Sequence, residues 1–176
     1  HKVRDYFQAL MTPDMRDQLR GKEGGELFRQ TIRQMGRDGW LGIGWPKEYG
    51  GAGLTRAHDR IYREEYGNVP DTTFELTISH GMCLPVLNQF GTEEQKRRFM
   101  PDNIAARTLW CQMFSEPGAG SDVASLQTRA ERDGDEWVLN GQKVWTTLAH
   151  ECDYGIVIAR TNPDAPKHAG ISMFIV

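Results

Sequence analysis

The chain has 176 residues, of which 39% are apolar and 26% are charged, and its formal net charge is −3. This composition predicts a packed globular fold and argues against disorder, a nucleic-acid partner or an anionic membrane surface. We expect no membrane-spanning helix and no secretory signal, because apolar runs are short. The three cysteines and five histidines lack the spacing of a disulfide framework or a metal site. The cysteines predict reduced thiols in a cytoplasmic, non-secreted protein.

The first part of the chain, residues 1–108, has the apolar spacing of helices. In Glu26–Arg37 the apolar residues recur at three- and four-residue steps, which predicts one buried helix face. The sequence TEEQ predicts a helix start, because Thr92 and Gln95 can each accept a hydrogen bond from the other's backbone amide. The buried face of the first of these helices is expected to carry Phe28, Ile32 and Met35.

Another helix is predicted between these two, from Thr55 to about Tyr66. Its apolar residues Ala57, Ile61 and Tyr62 are expected to form the buried face. The loop that precedes it, WPKEYGGAG, is interpreted as a turn that shapes the fold and takes no part in chemistry.

From about Leu109 the apolar pattern alternates, which predicts strands instead of helices. The sequence Asp133-Gly134-Asp135 predicts a tight hairpin turn, because glycine adopts positive φ without steric cost. We therefore expect an antiparallel β domain in this half. Its predicted strands are residues 128–132, 136–140, 143–147, 154–160 and 171–176.

Two segments of the β half have residue types that suit a flat or anionic ligand. The run FSEPGAGSD, residues 114–122, is either a plain surface turn or a loop whose glycines admit a ligand and whose Ser121 adds a hydroxyl. It matches neither the dinucleotide-binding nor the Walker A glycine pattern. In KVWTT, Trp145 is either a core residue or a platform for an aromatic ligand whose polar edge Thr146 and Thr147 would bond.

Five motifs follow one another along the chain. They are PKEYGG at 46–51, FGTEEQK at 90–96, SEPGAGSD at 115–122, NGQK at 140–143 and WTT at 145–147. In this order and spacing they resemble the acyl-CoA dehydrogenase family over nearly the whole chain. The resemblance implies an α+β fold: a helical-bundle domain, residues 1–108, followed by an antiparallel β-barrel or sandwich domain, residues 109–176. It also implies that this β domain is incomplete and that the family's C-terminal four-helix domain is absent.

The resemblance implies FAD as the cofactor. In family members the segments that match the glycine-rich loop and WTT line the flavin, and the position of Ser121 also contacts the acyl-CoA thioester. Many members have tyrosine where this chain has Gln112, which can bond a ligand but cannot stack on it as a phenol does. The implied FAD-binding residues are Gln112, Met113, Phe114, Ser115, Gly120, Ser121, Trp145, Thr146 and Thr147.

The implied reaction is α,β-dehydrogenation of an acyl-CoA to the trans-2-enoyl-CoA, in fatty acid β-oxidation or steroid degradation. Electrons would pass to electron-transferring flavoprotein, with Trp145 as the candidate exit. The general base would be a glutamate of the missing C-terminal domain, so no catalytic base is assigned. We predict that Glu116 is structural, bonding loop amides. The segment alone is expected to be inactive, and the protein to be a homotetramer or a heterotetramer with a related chain.

Two alternatives to this function stay open at this point. One is an acyl-CoA oxidase, in which oxygen reoxidises the flavin. The other is a non-catalytic subunit of a heteromeric acyl-CoA dehydrogenase. The segment Met35–Gly39 together with the WPKEYGG loop resembles the bacterial sterol side-chain subset of the family, in which some enzymes assemble from two different chains.

Overall fold

The computed structural model of the protein describes residues 1–21, 24–68 and 76–176. The chain divides into two compact units, His1–Thr108 and Leu109–Val176. None of the described helices is long and apolar enough to cross a membrane. The helices of the first unit are α1 (Lys2–Leu10), α2 (Pro13–Leu19), α3 (Glu26–Arg37), α4 (Arg56–Gly67), α5 (Leu84–Phe90) and α6 (Glu93–Ile104), with a π-helical turn at Ser79–Cys83 before α5.

Local sequence signals predicted α3 and the start of α6 correctly. Phe28, Ile32 and Met35 of α3 are each at most 2% exposed, as their spacing predicts. At the start of α6, Gln95 N–H donates to Thr92 Oγ1 at 3.2 Å and Thr92 N–H donates to Gln95 Oε1 at 2.9 Å. Both bonds of the predicted capping box are therefore present.

The predicted buried face of α4 is wrong for two of its three residues. Ala57 is exposed and Ile61 is 51% exposed, whereas Tyr62 is half-buried. The Tyr62 ring lies 6.0 Å from Phe7 and 6.2 Å from Trp40, centroid to centroid. Because these aromatic contacts turn Tyr62 inward, Ile61 is rotated by about 100° toward solvent. The packing of large rings therefore decides the orientation of the helix.

The second unit is built on one mixed sheet. Its strands are β1 (Trp110–Met113), β2 (Arg129–Asp133), β3 (Glu136–Asn140), β4 (Tyr154–Arg160) and β5 (Ile171–Ile175). The order is β1-β4-β2-β3, with β5 paired to β4. The fold class, a helical region followed by part of a β domain, is confirmed.

The strand pairing is mixed, whereas the sequence predicts an antiparallel domain. The hairpin β2–β3 and the pair β4–β5 are antiparallel, whereas β1 and β2 both run parallel to β4. Gly134 has φ of +58° at the predicted hairpin turn. The parallel pairing of β1 with β4 is possible because a long connection, which contains the hairpin, separates them in sequence.

The predicted strand at 143–147 is wrong, because no strand forms there. Trp145 has φ of +58° and Leu148 has φ of +53°, which is the left-handed region that an extended strand excludes. The segment leaves β3 after Asn140 and reaches a short 3-10 turn at Ala149–Glu151. Its irregular path sets the position of Trp145.

Candidate functional site

The glycine-rich loop is folded back on itself and packed on the sheet. Glu116 N–H donates to the Ala119 carbonyl at 2.9 Å, and Ala119 N–H donates to the Glu116 carbonyl at 3.1 Å. Ala119, with Phe114 beside it, packs on Leu126 and Ile158. The loop is therefore anchored on its apolar side, while Gly118, Gly120 and Ser121 stay exposed.

Glu116 anchors the same loop through its carboxylate, which is buried. It accepts hydrogen bonds from the amides of Gln127 at 2.6 Å and Thr128 at 2.9 Å, and from Lys143 Nζ at 2.8 Å. Burial raises the pKa of Glu116, but these bonds outweigh it and hold the pKa at about 2. A carboxylate so bonded is a weak proton acceptor, and the predicted structural role of Glu116 is confirmed.

Lys143 joins the segment after β3 to the glycine-rich loop. Besides Glu116, its Nζ contacts the Phe114 carbonyl at 3.1 Å, and its side chain is only 9% exposed. The next residue continues the contact, because Val144 N–H donates to the Ser115 carbonyl at 2.9 Å. The two segments that the sequence singled out, one containing Ser115 and the other Trp145, are thus held side by side.

Trp145 is presented to solvent by a strained backbone. Its side chain is 90% exposed, and a non-glycine residue in the left-handed region costs on the order of 1 kcal/mol. A large aromatic ring held outside the core at such a cost is typical of a ligand or partner contact. Of its neighbours, Thr147 is exposed and Thr146 is half-buried.

The remaining predicted residues lie on β1 and on the loop. Gln112 and Met113 pair with Ile156 and Val157 of β4 and are half-buried. They are followed directly by Phe114, the first residue of the glycine-rich segment. Phe114 and Ser115 are bonded through their carbonyls to Lys143 and Val144, the two residues that precede Trp145.

The loop offers donors that a ligand can use. Within residues 1–21, 24–68 and 76–176, the hydroxyls of Ser115 and Ser121 make no hydrogen bond. A Cβ added at Gly118 or Gly120 would meet nothing within 4 Å, so the backbone there is open to close approach. Asp122 is occupied by Lys167 and Ser125, which lower its pKa. Hydroxyls and accessible amides beside an aromatic ring fit a flat ligand with a polar edge.

The loop WPKEYGG has the structural role that its sequence predicts. A Cβ at Gly51 would lie 2.1 Å from the Trp45 carbonyl oxygen, and Gly50 has φ of +90°. The buried Tyr49 donates its hydroxyl to Glu93 Oε2 at 2.9 Å. These contacts fix the turn against the start of α6. In the part of the chain that the structure describes, no cluster of three metal-ligating residues occurs.

The sequence indicated no role for Lys143. The only local indication that Lys143 has a role is its place in an alternating apolar segment, directly before Val144 and Trp145. A lysine in such a segment is ordinarily a surface residue. Its buried partner, Glu116, is distant in sequence, so the pairing becomes visible only in the structure.

Two family profiles match the chain and together span nearly all of it. The profile of the acyl-CoA dehydrogenase N-terminal domain matches residues 1–107. The profile of the acyl-CoA dehydrogenase middle domain matches residues 111–176.

Relatives and solved structures agree with this assignment. Acyl-CoA dehydrogenase FadE26 of Mycobacterium tuberculosis is 47% identical over 99% of this chain and 45% of its own length. The ChsE4-ChsE5 complex of Mycobacterium tuberculosis contains a chain with 46% identity and a TM-score of 0.86, over 99% of this chain and 44% of that one. A G363A variant of the Tcur3481-Tcur3483 steroid ACAD has 41% sequence identity and a TM-score of 0.88. The match covers 99% of this chain and 46% of that one. The chain thus spans less than half the length of these relatives. It belongs to the acyl-CoA dehydrogenase family, whose members are flavoprotein oxidoreductases.

Proposed function

We propose that the chain forms the helical region and the flavin-facing loops of an FAD-dependent acyl-CoA dehydrogenase. The full-length protein would oxidise an acyl-CoA thioester to the trans-2-enoyl-CoA and pass the electrons to electron-transferring flavoprotein. The observation that supports this is the junction at Ser115, whose carbonyl accepts the Val144 amide. This bond joins the two segments for which family resemblance implies flavin contacts.

The residues that would hold FAD lie on β1, on the glycine-rich loop that follows it and on the segment after β3. The Ser115 hydroxyl and the amides of Gly120 and Ser121 would donate hydrogen bonds to the cofactor's polar edge, where negative charge accumulates on reduction. FAD, when bound, would supply the oxidising power, as the acceptor of a hydride from the substrate. The proposed FAD residues are Gln112, Met113, Phe114, Ser115, Gly120, Ser121, Trp145, Thr146 and Thr147.

The chain's own residues would position the reactants. Ser121, with a hydroxyl that no described residue engages, would bond the thioester part of the substrate. The pair Glu116–Lys143 keeps the loop in the required shape, and correct placement of reacting groups accounts for a large share of such catalysis. Trp145 would shield the cofactor and serve as the route for electrons. The α proton would go to a glutamate of the full-length protein beyond these residues.

The test is cofactor content and turnover of the full-length protein. We expect bound FAD, its bleaching by acyl-CoA under anaerobic conditions, and enoyl-CoA formation that depends on electron-transferring flavoprotein. Ser115→Ala should weaken FAD retention. Ser172→Ala is the matched control, because the Ser172 hydroxyl lies on β5 and is hydrogen-bonded to the Thr161 hydroxyl, just after β4, at 2.8 Å. The proposal would be refuted by protein that contains no flavin either alone or with a co-expressed related chain, or whose flavin is not bleached by a panel of fatty and steroid acyl-CoA thioesters. Rapid oxygen consumption during turnover would identify an oxidase instead.

A second candidate function is favoured by the relatives. The ChsE4-ChsE5 complex is named for two chains, and so is the Tcur3481-Tcur3483 steroid ACAD. We therefore propose a steroid acyl-CoA thioester as substrate and a heterotetramer with a related chain as the assembly, with a homotetramer as the alternative. Purification of the tagged full-length protein, alone and with a co-expressed related chain, tests this. FAD retention by the protein alone would contradict the heteromer.

The cellular location is part of the same proposal. Bacterial relatives and three cysteines without a disulfide support the bacterial cytoplasm. Fractionation of the native host, followed by immunodetection, tests it. Recovery in the membrane or secreted fraction would contradict it.

A further inference from the structure

Two of the three cysteines meet in the second unit. Cys111 lies on β1, and Cys152 follows the short 3-10 turn that leads into β4. Their thiols are in hydrogen-bonding contact. The sequence separates them by about 40 residues, so the contact is a product of the fold.

The backbone holds the two cysteines in this arrangement. The Leu109 carbonyl accepts from the amides of Asp153 at 2.8 Å and Tyr154 at 3.2 Å, and Leu109 N–H donates to Asp153 Oδ2 at 2.9 Å. These bonds hold Asp153, which follows Cys152, against Leu109, which lies two residues before Cys111. Gly155, the register partner of Cys111, leaves room for the thiol, because a Cβ there would lie 3.0 Å from Cys111 Sγ.

The two thiols differ in access and in acidity. Cys111 is 4% exposed, whereas Cys152 is half-buried and is therefore the more accessible residue of the two. The hydrogen bond with Cys152 lowers the pKa of Cys111 to about 7. A lowered pKa favours the thiolate, which is the form that attacks disulfides.

We propose that Cys111 and Cys152 form a reversible disulfide, with a low-molecular-weight disulfide as the oxidant. In the first step the thiolate of Cys152, the more exposed of the two, attacks the external disulfide, forms a mixed disulfide and releases one small thiolate. In the second step Cys111, as a thiolate, attacks the Cys152 sulfur and displaces the second small thiolate. The two protein thiols lose two electrons and two protons, and the external disulfide gains them.

The position of this bond gives it a consequence for the neighbouring segments. Cys111 directly precedes Gln112, and Cys152 follows Thr147 by five residues. The disulfide would tie together the strand that leads into the glycine-rich loop and the segment that carries Trp145. We infer that oxidation restrains the segment between Trp145 and Cys152.

The test is disulfide mapping of the full-length protein. The protein is incubated with glutathione disulfide, the remaining thiols are alkylated after denaturation, and the peptides are identified by mass spectrometry. We expect a peptide in which Cys111 is linked to Cys152, with Cys83 still alkylated. Treatment with dithiothreitol should restore alkylation of both linked cysteines.

Serine variants separate the roles of the two thiols. In Cys111→Ser, glutathione should remain attached to Cys152, because no second thiol displaces it. In Cys152→Ser, modification of the buried Cys111 should slow on the order of tenfold. Cys83→Ser is the control and should form the same link as the wild type, since Cys83 lies in the π-helical turn of the other unit. Glutathione retained on wild-type Cys152, or three cysteines that all stay alkylatable, would overturn the proposal.

Discussion

Replacing Lys143 by methionine tests whether its bonds to Glu116 and Phe114 hold the two segments of the site together. The Lys143 and Glu116 side chains are only 9% and 6% exposed. Methionine keeps much of the apolar stem of lysine but has no charge and no donor. The substitution therefore removes the bonds to Glu116 Oε1 and to the Phe114 carbonyl with little loss of packing.

The expected loss is about 3 kcal/mol in the free energy of unfolding of the β unit. A hydrogen bond to a charged group contributes roughly 1.5–3 kcal/mol and a neutral one about 1 kcal/mol. Removing one member of a buried ion pair costs about 3–5 kcal/mol. The pKa of Glu116 gives a free energy of similar size. Its decrease from 4.5 to about 2 corresponds to roughly 3 kcal/mol of stabilisation of the carboxylate by all its contacts together.

Hydrogen exchange of the full-length protein measures this locally. The amides of Gln127 and Thr128 donate to Glu116, so a peptide that covers them reports on the loop. A loss of about 3 kcal/mol should speed their exchange on the order of 100-fold. Lys167→Met is the matched control: its partner Asp122 is 62% exposed, and such pairs contribute at most about 1 kcal/mol. Equal exchange in Lys143→Met and wild type, or equal effects of both variants, would refute the reasoning.

Acid should have the same effect as the substitution. Because the pKa of Glu116 is lower in the folded state, its stabilisation is complete above about pH 4.5 and is lost as the pH falls toward 2. Protection of the Gln127 and Thr128 amides, corrected for intrinsic exchange rates, should decline over this range in the wild type. The decline should be smaller in Lys143→Met. A wild-type profile that stays flat to pH 2 would contradict the assigned role of Glu116.

Three further substitutions in the full-length protein, two of them paired with a control substitution, test single features. Thr92→Ala should cost about 1 kcal/mol in urea denaturation through loss of the capping box, and Thr55→Ala less, because Thr55 makes no side-chain cap bond. Gly141→Ala should lower the Tm, because its Cβ would lie 2.6 Å from the Thr128 Cα, whereas Gly118→Ala has free space; equal Tm values would refute this. Trp145→Gly should keep its Tm, since glycine adopts φ of +58° without strain, and should bind FAD more weakly; unchanged FAD affinity would remove Trp145 from the proposed site.

The parts of the fold that the sequence predicts are those decided within a few residues. The capping box at Thr92, the apolar face of α3 and the Asp-Gly turn at Gly134 each depend on neighbours at most four positions away. Such contacts form in almost any tertiary setting, so their patterns are reliable. The buried face of α4 is different, because it was set by rings on other elements.

The segment 143–147 shows why alternation alone misleads. Its residues alternate as they do in a strand, but Lys143 is drawn inward by Glu116, a carboxylate 27 residues away. With the lysine buried, the chain turns at Trp145 through a left-handed conformation and exposes the ring. No pattern within the segment contains Glu116, so no local argument could have given this path.

The candidate site was predicted by resemblance and not by physical pattern. Read alone, GAGSD fits a surface turn equally well, and the structure shows why, since the loop does turn back on itself at Glu116 and Ala119. What distinguishes it from a plain turn is the buried charge beneath it. In this loop the Glu116 carboxylate is buried and accepts hydrogen bonds from two amides and a lysine. A plain surface turn does not need such a group, because removing ions from water is costly. The pair Glu116–Lys143 is therefore the physical sign that this loop must keep one shape.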